Sequence, residues 1–177
     1  MKPLTCPIPS NLNLLQSNGF MFSITKLPGL TYFCQEASIP GISLPVAEIN
    51  SPLSKMPFAG DKLEFEDLSI EFLINEDMSN YKAIHDWMVG LGFPELHTQY
   101  QNFINTNTTA LSTNPVMASN SDGILSIMNS SNNVIRTIHF IDLVPVNLAT
   151  VTVRSSTDDT TYLAGVATFD YNYYTFM

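Results

Sequence analysis

Basic residues are scarce in this chain. Only 7 Lys and Arg face 16 Asp and Glu, for a net charge of −9 and a pI near 4.5. Lys2, Lys26, Lys55, Lys62, Lys82, Arg136 and Arg154 are scattered, so no cluster exists to neutralise phosphates, and direct nucleic-acid binding is excluded as the main role. An acidic surface can still serve nucleic acid by refusing to hold it. Charge of either sign is also sparse, at 13% of residues, about half the usual share. Disorder does not explain that in a chain that is 45% hydrophobic and 11% aromatic; extensive subunit contact does. There is no apolar run of about 18 residues and no signal-peptide core, so the expectation is a soluble protein made in a cytoplasm, without membrane insertion. The two cysteines, Cys6 and Cys34, lie in unlike contexts and form no disulfide framework; both read as free thiols in a reducing compartment.

Catalytic and metal-binding signatures are missing too. His85, His97 and His139 are dispersed, with no His-x-His or His-Glu-x-x-His spacing. There is no Gly-x-Ser-x-Gly elbow and no nucleophile motif around either cysteine. Gly90-Leu-Gly-Phe93 superficially resembles a carboxylate-binding loop, but it ends a helix and runs into Pro94, so no strand follows to pair a peptide. No cofactor is expected.

What the chain does have is concentrated in Gly60–Leu91. Leu63 and Phe65 alternate with Glu64 and Glu66, and the apolar side resumes one step out of register at Leu68, Ile70, Phe72 and Ile74. Two period-2 patterns joined by an extra residue predict one strand, Leu63–Asn75, with a β-bulge at Glu66–Asp67. Its polar face carries Glu64, Glu66, Asp67, Ser69 and Glu71. Alternate residues on one face of a strand are only about 7 Å apart, so neighbouring carboxylates follow from any acidic strand. A solvated face is therefore favoured over a glycosidase-like acid/base pair. After Asn75 the period becomes helical. Ser79 is the expected N-cap, Glu76 and Asp77 suit the helix dipole, and Tyr81, Ile84, Trp87, Met88 and Leu91 form an apolar stripe that a sheet or another helix must cover.

The rest of the chain reads as short strands. Residues 1–18 are a Pro- and Asn-rich arm. Phe20–Lys26 and Tyr32–Ile39 are strands joined by a Pro28-Gly29 turn. Ile42–Phe58 holds Pro45, Pro52 and Pro57, so it is not a central strand; with Val46, Ile49, Leu53, Met56 and Phe58 it is either an apolar arm reaching a neighbour or a loop over its own core. Residues 97–123, rich in Asn, Thr and Ser and nearly uncharged, form a long polar loop insertion, longer than a compact domain ordinarily holds. Ile124–Asn129 and Val134–Phe140 make a hairpin around Ser130–Asn133, followed by strands at Asp142–Val146, Thr150–Arg154 and Leu163–Phe176, the last with Ala167, Phe169, Tyr171 and Tyr173 on one face. The fold class is mainly β, an antiparallel β-sandwich or partial barrel with one short α-helix, in a single domain over residues 1–177.

The run PFAGDKLEFEDLSIEFLINEDMSNYKAIHDWM resembles the tail tube proteins of contractile-tailed bacteriophages, in its Gly-Asp turn, acidic alternating strand, acidic turn after Asn, and helix ending in Asp-Trp. FMFSITKLPGLTYFCQEASIPGISLP near the start, and LVPVNLATVTVRSS and AGVATFDYNYYTF near the end, extend the resemblance over most of the chain, best over Gly19–Asn75. Baseplate proteins that initiate the tube share this fold and are the runner-up reading within the class, and the tube protein of type VI secretion systems is a more distant relative. The resemblance implies a structural subunit of the virion tail, not an enzyme: homo-hexameric rings stacked into a tube inside a contractile sheath, meeting baseplate and tube-terminator proteins, with DNA transiting the lumen. It also implies that Glu64, Glu66, Asp67 and Glu71 line the lumen and that Ile49, Leu53, Met56 and Phe58 reach a neighbouring subunit. The alternative of another class is a β-sandwich binding module that stacks a sugar or small ligand on Tyr32, Tyr162, Tyr171, Tyr173 or Tyr174.

Overall fold

The computed structural model describes residues 12–50, 55–92, 98, 101, 119–155 and 161–177. Its strands, in chain order, are β1 (Phe20–Ile24), β2 (Cys34–Ala37), β3 (Ile42–Ser43), β4 (Val46–Asn50), β5 (Lys55–Ala59), β6 (Glu64–Phe65), β7 (Leu68–Leu73), β8 (Ser121–Met128), β9 (Val134–Leu148), β10 (Ala164–Asp170) and β11 (Tyr173–Phe176). The helix α1 (Ser79–Gly92) follows β7. The fold is mainly β and antiparallel throughout.

Seven strands hydrogen-bond in the order β1-β8-β9-β10-β7-β2, with β11 also paired to β9. The organising element is β9, 15 residues long. Its first part lies between β8 and β11, and its last part pairs with β10. Its side chains show how the change is made. Ile138 and Phe140 point inward and are fully buried, as is Leu143 farther along, and Pro145 is buried too. The parity flips between Phe140 and Leu143, so one extra residue has been inserted, and Asp142 takes the left-handed conformation at φ 60°. The β8 register skips at the same place, between Ser121 and Gly123. The strand therefore turns a corner and passes from one face of a sandwich to the other. Pro145 lies beyond the corner, where among the described residues only β10 pairs with the strand, so its missing N–H breaks no ladder.

One wall of the sandwich supplies Phe22, Ile24, Leu125, Ile138 and Phe140, and the other supplies Leu68, Ile70, Phe72, Ala167 and Phe169; all lie within the buried core. The edges of β1 and β2 touch without pairing, so among the described residues the sandwich stays open on that side and no barrel closes.

The structure departs from several of these expectations. The segment Leu63–Asn75 is not one bulged strand. The extra residue at Glu66–Asp67 divides it into β6, which pairs with β3, and β7, which lies between β10 and β2. The parity change was read correctly, but its result is a transfer between sheets. Leu163–Phe176 likewise breaks at Tyr171–Asn172 into β10 and β11, and after the break Tyr173 is exposed while Tyr174 packs on the core. Asp142–Val146 is the continuation of Val134–Phe140, and 151–154 form no strand. β8 begins at Ser121, inside the segment expected to be loop up to 123, and residues 102–118 of that loop lie outside the described residues. The β8–β9 hairpin is present: Asn129 Oδ1 accepts from the N–H groups of Ser131 (2.9 Å) and Asn133 (3.0 Å), and Asn132 adopts φ 58°.

Helix α1 starts differently from the expected Ser79 cap. Ser79 is its first residue, and the N–H of Lys82 bonds to the carbonyl of Met78. Asn80 performs the locking: buried, it donates from Nδ2 to the Leu73 carbonyl (2.7 Å) and accepts at Oδ1 from the N–H groups of Tyr81 (2.8 Å) and Asn75 (3.3 Å). One amide thus ties the helix start to the end of β7. Ile84 and Trp87 are buried, and Tyr81, Met88 and Leu91 are half-buried against the same core. The Trp87 indole N–H donates to the Ser119 carbonyl at 2.9 Å, and its ring lies 6.2 Å from that of Phe169.

Candidate assembly surface

Residues 41–50 and 55–66 form a two-stranded ribbon. At its root the Glu66 N–H bonds to the Gly41 carbonyl (3.0 Å), and Ile42 and Ser43 pair with Phe65 and Glu64. Midway, the Gly60 N–H bonds to the Pro45 carbonyl at 2.8 Å. A Cβ on Gly60 would lie 2.3 Å from that carbonyl oxygen, so only glycine permits the two chains to approach here. Val46 through Asn50 then pair with Ala59 through Lys55, and Pro57 is placed opposite Glu48. Among the described strands, β4 and β5 pair only with each other. The segment Ile42–Phe58, read as an extended apolar arm or a loop over its own core, therefore contains the paired strands β4 and β5.

An isolated two-stranded ribbon is marginal in water, because it has too little surface against which to bury its side chains. This one also exposes Ile42, Leu44, Val46, Phe58 and Leu63, with Val46 57% and Phe58 53% accessible. Its ion pair, Lys55 with Glu48 at 2.7 Å, is exposed and contributes about 0–1 kcal/mol. Of the other residues read as the inter-subunit arm, Ile49 and Met56 are register partners, and Leu53 lies outside the described residues.

The acidic residues are divided among three places. Glu64 is exposed on β6; Glu66 and Asp67 are exposed in the jog; Glu71 is half-buried on β7. They do not share one strand face. Glu66 has a structural role as well, since its Oε2 accepts from the Gly41 N–H at 3.3 Å. Glu71 is instead in direct register with Glu36 of β2. Like charges directly opposite each other repel, so this pair belongs on a wet, polar face.

The root is fixed by aromatic residues that sequence reading assigned to a ligand surface or to one face of a straight strand. The Tyr171 hydroxyl donates to the Glu66 carbonyl at 2.8 Å, and the Tyr174 hydroxyl donates to the Pro40 carbonyl at 3.2 Å. Phe65 lies between them, its ring 6.0 Å from Tyr171 and 5.6 Å from Tyr174. Burial, reinforced by Tyr174 and the carboxylates of Asp170, Asp67 and Glu66, holds the Tyr171 phenol well above its ordinary range, so it remains a donor. These two tyrosines offer no free stacking surface to a ligand. Periodicity could not have found their role, because their partners are 105 and 134 residues away in sequence.

Nucleophilic chemistry is not supported by Cys34: burial pushes its thiol up to about 11, leaving it protonated at neutral pH. His85 is exposed beside Asp86, whose carboxyl is lowered chiefly by its hydrogen bond from Lys82. Among the described residues no group of His, Cys, Asp and Glu is arranged to hold a metal, and no helix is long and apolar enough to cross a membrane.

Known proteins fit this architecture over nearly its whole length. The tail tube terminator protein of Enterobacteria phage T4 is 23% identical over 168 residues, covering 92% of this chain and 88% of that protein. The tube-terminating cap of the anti-feeding prophage superposes with a TM-score of 0.58 at 13% identity, covering 98% of this chain and 97% of the other. The sheath/tube terminator of an extracellular contractile injection system in its extended state gives 0.53 at 13% identity, with 99% of both chains covered. These structural likenesses establish a shared fold. The family model described as phage tail tube protein matches residues 4–177, and the chain is accordingly a member of that family.

Proposed function

We propose that this protein is a ring-forming structural subunit of the tail tube of a contractile-tailed phage, with six copies closing a ring and rings stacking into a conduit for DNA within the sheath. The observation that carries this reading is the ribbon: a hairpin with exposed apolar side chains that, among the described strands, does not pair with the sandwich, in a member of the tail tube family. A head-to-tail contact between ribbon and neighbour is heterologous; it closes in the plane of a ring and repeats along the axis. The open β1 and β2 edges would be covered by neighbouring subunits in the same arrangement. The role is structural, its place is the virion tail after assembly in the host cytoplasm, and its partners are further copies, the sheath, the baseplate and the terminator.

A second reading, a tube terminator, is favoured by the similarity to the phage T4 terminator. The two differ in stacking. Negative-stain microscopy of the purified protein should show rings. Stacked tubes identify the main subunit, whereas single rings that attach only to tube ends identify a terminator. A protein that stays monomeric across concentration and salt overturns both.

The acidic lining of the lumen is assigned to the Glu36–Glu71 face rather than to Glu64, Glu66 and Asp67, because it is the wall of a sheet and not the root of a ribbon. Repeated around a ring, this pair would give a belt of negative charge to which phosphates do not adhere. Glu36→Lys/Glu71→Lys should leave rings intact and retain added DNA inside tubes at low salt, with release as the ionic strength rises. Tubes of the variant that retain no more DNA than wild type would remove these residues from the channel.

A further inference from the structure

Two chain crossings connect the ribbon to the sandwich: one leads from β2 to β3, and the other is the Glu66–Asp67 jog from β6 to β7. Each crossing has a backbone carbonyl bound by one tyrosine from the C-terminal corner. Tyr174 takes the carbonyl of Pro40, and Tyr171 takes that of Glu66. The crossings are also tied to each other through Gly41 and Glu66, by the backbone bond at 3.0 Å and the side-chain bond at 3.3 Å. Phe65 enters from the ribbon side between the two tyrosine rings, which themselves lie 6.0 Å apart and share contacts with Phe140.

We infer that Tyr171 and Tyr174 are positioning residues that fix the angle at which the ribbon leaves the body, and so place its exposed Val46 and Phe58 for a neighbouring subunit. The inference rests on the reading of the ribbon as an inter-subunit arm. Leverage makes the root decisive. The described ribbon extends to the paired Asn50 and Lys55, about ten residues a side and so roughly 30 Å from the root, so a tilt of about 20° there displaces the far end of β4 and β5 by roughly 10 Å, more than the spacing of two strands. The corner between β10 and β11 thereby has a second task. Breaking the C-terminal strand at Tyr171–Asn172 brings both hydroxyls to the same side, where an unbroken strand would have put Tyr171 and Tyr174 on opposite faces.

The test is the full-length Tyr171→Phe/Tyr174→Phe variant, which keeps both rings and removes both hydroxyls. Hydrogen exchange is measured on the monomeric fraction, and the concentration threshold for ring formation on the same preparation. The expected result is exchange about tenfold faster at Gly41 and Glu66, unchanged exchange in β8 and β9, and an assembly threshold raised about tenfold. Ile24→Val, a buried core change on β1, which pairs with β8 and not with β11, should destabilise the body without either effect. Phe65→Leu approaches the root from the ribbon side with both hydroxyls kept, and should reproduce the loosening even if the double variant folds poorly. Ribbon protection unchanged in both root variants overturns the inference. A loosened ribbon with an unchanged threshold upholds the anchorage and overturns the ribbon's part in assembly, so the two ideas fail separately.

Discussion

Trp87→Ala should lower the unfolding free energy of the monomer by about 3–5 kcal/mol, the range for removing a large buried aromatic side chain. The indole is 4% exposed, stacks obliquely on Phe169 and carries the Lys26 ammonium 5.1 Å from its ring centre. Truncation removes this apolar burial and opens a cavity between the helix and the sandwich. It also leaves the Ser119 carbonyl without the indole donor, which adds to the cost where water cannot enter. Trp87→Phe separates the contributions: it restores most of the volume and loses the donor, so its cost should be about 1–2 kcal/mol. Urea unfolding of both variants checks the prediction. If Trp87→Ala is as stable as wild type, the helix does not depend on this side chain for its attachment to the core.

The second large effect is on assembly rather than stability. Val46→Ser/Phe58→Ser should give a monomer with the wild-type circular dichroism spectrum and thermal midpoint, yet abolish rings and tubes at concentrations where the wild type forms them. Neither residue is in the buried core, and both lie more than half exposed on the ribbon. Their burial against a neighbour would contribute about 1.5–3 kcal/mol for each side chain, and that loss recurs at every interface of a closed ring. Sedimentation velocity over a concentration series gives the threshold directly. An unfolded variant would return the ribbon to its own core, and unimpaired assembly would remove these two positions from the interface.

Much of the secondary structure was legible because alternation and helical spacing are local. Leu68, Ile70 and Phe72 announced a buried face, and they are fully buried on β7. The extra residue at Glu66–Asp67 was equally legible, as was the Asn-rich turn before Val134. The same parity rule marks the corner in β9, where Ile138 and Phe140 give way to Leu143 and Pro145, although adjoining strand candidates there gave no reason to merge them. The assembly surface was less accessible. The prolines of Ile42–Phe58 correctly excluded a central strand, but proline restricts its own nitrogen and leaves its carbonyl free to accept, so it did not forbid the β4–β5 hairpin.

The chain's own order of residues determined its sparse charge, its lack of a basic cluster, its inward faces and the places where strand parity shifts, since each depends on neighbours a few positions apart. Tertiary structure alone decided what those shifts accomplish: β9 passes between the two walls, β6 and β7 part into different sheets, and the expected single acidic face is distributed among a ribbon, a jog and a wall. Partner choice in a sheet is set by contacts such as Thr25 with Asp122 and Tyr174 with Pro40, 97 and 134 residues apart. No local period encodes which distant carbonyl a hydroxyl will reach; only the closed packing of the core brings the two together.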